Sequence, residues 1–154
     1  MSDPALILGE FSFESRLIVG TGKYESLDLQ LEATRASGAE LVTVALRRVD
    51  FKAPKEQNVL SFLPEGVEIL PNTAGCYNVE DAVTTAQLGR ELVGHGLVKI
   101  EVIGDERTLF PDVAKTIEAC RILVEDGFSV LPYISDDPVA CQQLAELGCP
   151  AVMP

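Results

Sequence analysis

The chain has 154 residues, 47% of them hydrophobic and 23% charged, which is enough apolar material for the core of one domain. Its net charge of −12, from 24 acidic against 12 basic residues, argues against a nucleic-acid partner, because that binding draws on clustered Lys and Arg. A single phosphate group is not excluded, since backbone N–H groups at a helix N-terminus hold one whatever the global charge.

Along the chain, apolar runs alternate with segments of helical period. The N-terminal MSDPALILGEF has neither the basic region nor the small-residue cleavage site of a secretory signal. No later stretch approaches the roughly 20 apolar residues that span a bilayer. A cytoplasmic protein without membrane association is expected. The first strand, RLIVG (16–20), runs into GTGKY (20–24). That loop invites a phosphate-loop reading but lacks the GxxxxGK spacing, and Tyr24 stands where Ser or Thr is required, so a plain turn into a helix is expected. The helix spans 26–37 with Ser26 as its polar opening residue and the glycine of ASGAE at its end.

A second strand, LVTVAL (41–46), ends at Arg47 and Arg48, each of which could meet a substrate anion or form a surface ion pair. The third, VEIL (67–70), leads into LPNTAGC (70–76), where Pro71, Asn72 and Gly75 are turn formers. Helix 79–93 opens at Asn78. His95, the only histidine, lies in a Gly-His-Gly loop ahead of the fourth strand, VKIEVIG (98–104), and therefore at the end of the sheet away from the chemistry. Helix 112–126 opens at Asp112, strand FSVLPYI spans 128–134, and helix 137–147 opens at Asp136, with Asp136 and Asp137 read as capping residues. PAVMP (150–154) looks like the opening of a sixth strand.

The rhythm is β-α-β-α, about five units and the start of a sixth strand. It implies a parallel sheet, since parallel neighbours need crossover connections whose helices cover a sheet face. Two architectures fit. One is an incomplete (β/α)8 barrel; the other is a complete open sheet of flavodoxin-like size. The cysteines at 76, 120, 141 and 149 form no CxxC and have no closely spaced histidine, so they read as reduced thiols. With one histidine there is no His-based triad, and no metal site is expected.

The strand LVKIEVI carries a lysine and a glutamate two positions apart in an otherwise apolar run. Alternation puts Lys99 and Glu101 on one side, roughly 6.5–7 Å apart along the backbone, with Val98, Ile100 and Val102 on the other. Parallel strands are usually buried on both faces, so a half-wet strand is the weaker explanation of this pair. On the inside of a barrel it would point into the active-site mouth. Burial there favours the free amine of Lys99 and so its use as a nucleophile, while Glu101 is suited to carrying protons.

In order and spacing, GTGKY, SGAELVTVALRR, LPNTAGCYNVEDAV, LVKIEVIGDERTLFPD, YISDDP and LAELGCPAVMP resemble the thiazole synthase family of thiamine biosynthesis. The resemblance runs over essentially the whole chain from about residue 8. It implies a (β/α)8 barrel that builds thiazole phosphate from 1-deoxy-D-xylulose 5-phosphate, a glycine-derived imine (2-iminoacetate) and sulfur. The sulfur would arrive as the C-terminal thiocarboxylate of a small ubiquitin-like carrier protein, and the imine from a separate imine-producing enzyme. It implies Lys99 as the Schiff-base lysine, Glu101 as its acidic partner, no cofactor, and a homo-oligomer. Family members run on well past the equivalent of Pro154, so these residues are expected to be the front part of the barrel, inactive alone. A class I aldolase-like Schiff-base enzyme and a flavodoxin-like binding module are the alternatives.

Overall fold

The computed structural model describes residues 4–154. An antiparallel hairpin comes first, β1 (Leu6–Leu8) against β2 (Phe11–Phe13). A five-stranded parallel sheet follows: β3 (Ile18–Gly20), β4 (Leu41–Ala45), β5 (Glu68–Asn72), β6 (Leu97–Ile100) and β7 (Ser129–Pro132), side by side in chain order. The helices are α1 (Leu27–Ser37), α2 (Val79–Val93), α3 (Val113–Glu125) and α4 (Pro138–Glu146). Short 3₁₀ turns at Leu46–Arg48, Lys55–Gln57 and Val59–Phe62 fill the connection from β4 to β5.

The strand order never reverses. A flavodoxin-like sheet needs a reversal, with helices on both faces, whereas right-handed crossovers that always advance in one direction stack their helices on one face. That is the arrangement of α2, α3 and α4. Ala82 and Ala86 of α2, Ala119, Cys120 and Leu123 of α3, and Ala140 and Leu144 of α4 share one buried cluster with Val98, Ile100, Val102 and Val130. The small residues let helix and sheet approach closely; Gly89 of α2 has no room for a Cβ between Leu46 and Pro71.

The opposite face is divided. At the strands' N-terminal end Leu41, Leu70, Leu97 and Leu131 form one apolar layer, closed from below by Leu8 and Phe13 of the hairpin. Two residues further along, on the same face, stand Thr43, Asn72, Lys99 and Tyr133.

The local signals act as expected at most helix starts. Ser26, Asn78 and Asp112 each accept a backbone N–H of the first turn. At α4 the expectation of Asp136 is corrected: Asp137 is the N-cap, accepting from Val139 N, because Pro138 takes the first helical position. Several boundaries also move. Pro71 and Asn72 belong to β5 rather than to a turn, β6 ends at Ile100, and PAVMP contributes a parallel bridge between Met153 and Tyr133 in place of a regular strand.

The hairpin was not anticipated. Its two-residue turn, Gly9-Glu10, puts glycine at φ +65° in the first turn position, where a two-residue hairpin favours it. A Cβ at Gly9 would also sit within 2.9 Å of Ser129 Cβ on β7. Gly9→Ala should therefore combine left-handed strain with overpacking and lower stability by about 2–4 kcal/mol. Gly38→Ala, at φ +66° with nothing near its Cβ, should cost only the strain, about 1–2 kcal/mol. Equal losses in denaturant melts would show that the hairpin does not press on β7.

Candidate active site

The C-terminal ends of β4, β5, β6 and β7 surround a cleft of about 260 Å3 lined by Arg48, Tyr77, Lys99, Glu101, Leu109 and Tyr133, among others. Lys99 is the third residue of β6. Its register partners are Asn72 on β5 and Leu131 on β7, so the parallel ladder on both sides fixes its direction. Glu101 lies one residue past the regular strand, yet alternation continues through it. Lys99 Nζ stands 3.2 Å from Glu101 Oε1, with the side chains 21% and 15% exposed. The two expected residues are thus brought together, as an ion pair, in a cleft that solvent still reaches. The Tyr133 ring centroid is 5.7 Å from Lys99 Nζ and gives the ammonium a weakly attractive face.

Side chains beside the pair are held by hydrogen bonds that replace the ladder where it runs out. Asn72 Nδ2 donates to Thr43 Oγ1 at 2.8 Å, and its Oδ1 accepts from Ala74 N at 3.1 Å. Thr73 Oγ1 accepts from Glu101 N at 2.8 Å and donates to Glu101 O at 2.9 Å. A second cleft of about 400 Å3 opens alongside, lined by Thr21, Lys23, Thr43 and Asn72, and it shares Arg48 and Ala74 with the first. The GTGKY loop is therefore a turn from β3 into α1 that also walls the neighbouring space.

The two arginines separate. Arg47 Nη1 lies 3.7 Å from Asp81 Oδ2 and donates to the buried Cys76 Sγ at 3.7 Å, the ion-pair alternative, whereas Arg48 lines both clefts. His95 is at the other end of β6, where its Nδ1 accepts from Leu97 N and its ring meets Phe11 edge-on at 5.0 Å. Its Nε2 lies 3.4 Å from Glu68 Oε2 without hydrogen-bond geometry. Among the described residues no group of three or more His, Cys, Asp or Glu is placed to hold a metal ion, no helix is long and apolar enough to cross a membrane, and the four cysteines are free.

Tyr133, Leu109 and Thr73 were not singled out from the sequence. Tyr133 was within reach, because it shares the period-2 face of Leu131. Leu109 was not. It sits at φ +61°, a left-handed conformation that costs an L-residue about 1–2 kcal/mol, and is 55% exposed. The loop that carries it is tied down from both sides. Ile103 bridges Pro111, Gly104 N donates to Phe110 O, and Leu109 N donates to Asp105 O. Asp105 accepts from Thr108 Oγ1 at 2.6 Å and from the Thr108 and Arg107 amides, and these bonds hold its carboxyl below the usual carboxylate range.

Residues 7–154 match the family profile described as thiazole biosynthesis protein ThiG. The thiazole synthase of Sorangium cellulosum (strain So ce56) is 61% identical over 155 residues, and that of Acinetobacter baumannii (strain AYE) 54% identical over 157. Each alignment takes in all of this chain and 60% of the relative, so the chain spans about three fifths of the length of these relatives. Among solved structures, the crystal structure of the Amycolatopsis orientalis BexX/CysO complex contains a chain that superposes with a TM-score of 0.80 at 28% identity. The superposition covers 97% of this chain and 62% of that one.

Leu109 is strained and half in solvent, so its side chain returns little to the fold. Leu109→Gly should leave the thermal midpoint unchanged or raise it, because relief of the left-handed strain offsets the added backbone entropy. Leu109→Val, β-branched at the same φ, should lower it. A loss on Leu109→Gly as large as a core truncation, about 2–5 kcal/mol, would mean the side chain is packed rather than displayed.

Proposed function

The chain belongs to the thiazole biosynthesis protein ThiG family, and from that membership we propose that it forms the lysine-bearing part of a (β/α)8-barrel thiazole synthase that works through a Schiff base. The observation that carries this reading is the Lys99–Glu101 pair, 3.2 Å apart at the C-terminal end of a parallel strand. That is the end of a barrel where active sites are built. The one-sided helices and the unreversed strand order support closure into a barrel.

The substrate in this proposal is 1-deoxy-D-xylulose 5-phosphate. Lys99, as the free amine, attacks the C2 ketone, and the carbinolamine loses water as Glu101 supplies the proton, leaving an iminium. Glu101, now a carboxylate, takes the proton from C3, and the resulting enaminol returns as a ketone at C3. Thiocarboxylate sulfur from the carrier adds there, and the carrier's acyl group shifts from sulfur to the C3 oxygen and leaves with it as the carrier's carboxylate. The nitrogen of the glycine-derived imine displaces Lys99 from C2 as the ring closes. Before the first step a proton passes from Nζ to Oε1 across their 3.2 Å contact, leaving Lys99 as the amine and Glu101 as the acid.

A protein partner is supported by the solved neighbour, which assembles with CysO. For this chain we read the partner as the ubiquitin-like sulfur carrier. The imine then comes from a separate enzyme, and the working form is a homo-oligomer.

In the full-length enzyme, borohydride added with 1-deoxy-D-xylulose 5-phosphate should leave one covalent adduct on the peptide containing Lys99, detected by mass spectrometry. Lys99→Ala should abolish it. Lys99→Arg should abolish it too, since a guanidinium stays protonated and is no nucleophile. Glu101→Gln should still give the adduct but slow turnover by about 10²–10⁴-fold, the range for loss of a general acid–base group. An adduct on Lys23, Lys52 or Lys115 instead would overturn the assignment.

A further inference from the structure

We infer that Thr73 is a positioning residue for Glu101, its hydroxyl setting where the carboxylate stands against Lys99; the inference rests on the roles proposed for that pair. Regular pairing of β6 stops at Ile100, and Glu101 lies in irregular backbone. Thr73, immediately after β5, is fully buried. Its backbone N–H donates to Lys99 O at 3.2 Å. Its hydroxyl then takes both polar groups of the next residue of that register, accepting from Glu101 N at 2.8 Å and donating to Glu101 O at 2.9 Å.

One side chain thus does for residue 101 what a neighbouring strand does for residue 99. A backbone N–H and C=O bound to the same oxygen cannot turn about the chain axis without breaking one of the two bonds. The Cα–Cβ direction of Glu101 is fixed by this clamp, and its carboxylate is kept on the Lys99 side. Lys99 itself is held by the ladders to Asn72 and Leu131 and does not need the hydroxyl. The two members of the pair are therefore secured by different means. Removing the hydroxyl should release the acid and leave the amine in place.

The arrangement separates a positioning role from a structural one, because loss of Thr73 should resemble loss of Glu101 and not loss of Lys99. The step to follow is deuterium uptake from D2O at C3 of 1-deoxy-D-xylulose 5-phosphate, which needs the iminium and the proton carrier but no second substrate. In the full-length enzyme, Thr73→Val should slow this exchange at saturating substrate by about 10²-fold, the loss that follows a misplacement of about 1 Å. KM should stay within about twofold. The borohydride adduct on Lys99 should still form, more slowly but to the same final extent, as in Glu101→Gln. Thr73→Ser should restore exchange, and Thr73→Val combined with Glu101→Gln should be no slower than Glu101→Gln alone.

Should Thr73→Val not fold, Thr73→Ala against Thr73→Ser gives the same comparison. Protection of the Glu101 amide from hydrogen exchange, present in the unmodified enzyme and lost without the hydroxyl, reads the clamp directly. Unchanged C3 exchange in Thr73→Val, or losses that multiply in the double variant, would overturn the inference. An unmodified enzyme that forms no adduct would instead overturn the reading of Lys99, so the two failures are told apart.

Discussion

The parallel register that sets Asn72 of β5 opposite Lys99 of β6 governs the site and the core together. Side chains alternate along a strand, so a slip of one residue would turn Lys99 and Glu101 to the helix side and bring Val98, Ile100 and Val102 to the cleft. On the helix side they would meet Ala82, Ala86, Cys120 and Leu123, which offer no partner for a charge. Burying an unpaired ammonium or carboxylate there costs far more than any single packing contact returns. The correct register is thus selected by the apolar residues of the run from Leu97 to Ile103 and enforced by its two charged ones. Fold and site are not separable requirements in this strand.

Above and below that register the inner face does two different jobs. The leucine layer at the N-terminal end, closed by Leu8 and Phe13, is dry and gains its stability from apolar area. The layer above it, with Thr43, Asn72, Lys99 and Tyr133, is polar and opens to solvent through the clefts. His95, at the leucine end, is occupied with Leu97 and Phe11 and lies about four residues of strand, roughly 13 Å, from Lys99. This division lets the polar end keep solvent access and strained loops, because the apolar end does not depend on them.

What could be read from the sequence follows the range of the interaction behind it. Three N-caps, the alternation of strands and helices, and the shared side of Lys99 and Glu101 all depend on neighbours within four residues, and each was legible. The cap of α4 was legible too, had Pro138 been weighed, since a proline at the first helical position marks the residue before it as the cap. LILGEFSF carried the glycine of a hairpin turn. Its place ahead of the β-α rhythm hid it. Thr73 was out of reach, because its partner is 28 residues away and nothing in NTAGC says which backbone its hydroxyl will meet. Leu109 gave no sign at all, since leucine is among the last residues a sequence suggests for a left-handed φ.

The long-range contacts that escaped the sequence share a physical cause. Where the five strands end, backbone N–H and C=O groups lose their ladder partners while still partly buried, and each must find another. Thr21 Oγ1 donates to Thr43 O, Asn72 Oδ1 accepts from Ala74 N, and Thr73 takes both groups of Glu101. Asp105 gathers the amides of Arg107 and Thr108 in the loop after β6. Short polar side chains therefore stand in for a missing strand after β3, β5 and β6. They hold irregular backbone in one arrangement, which is what lets groups beyond the end of a strand be aimed as closely as groups within it. Hydroxyls and amides at strand ends are as much a part of this site as the charged pair they surround.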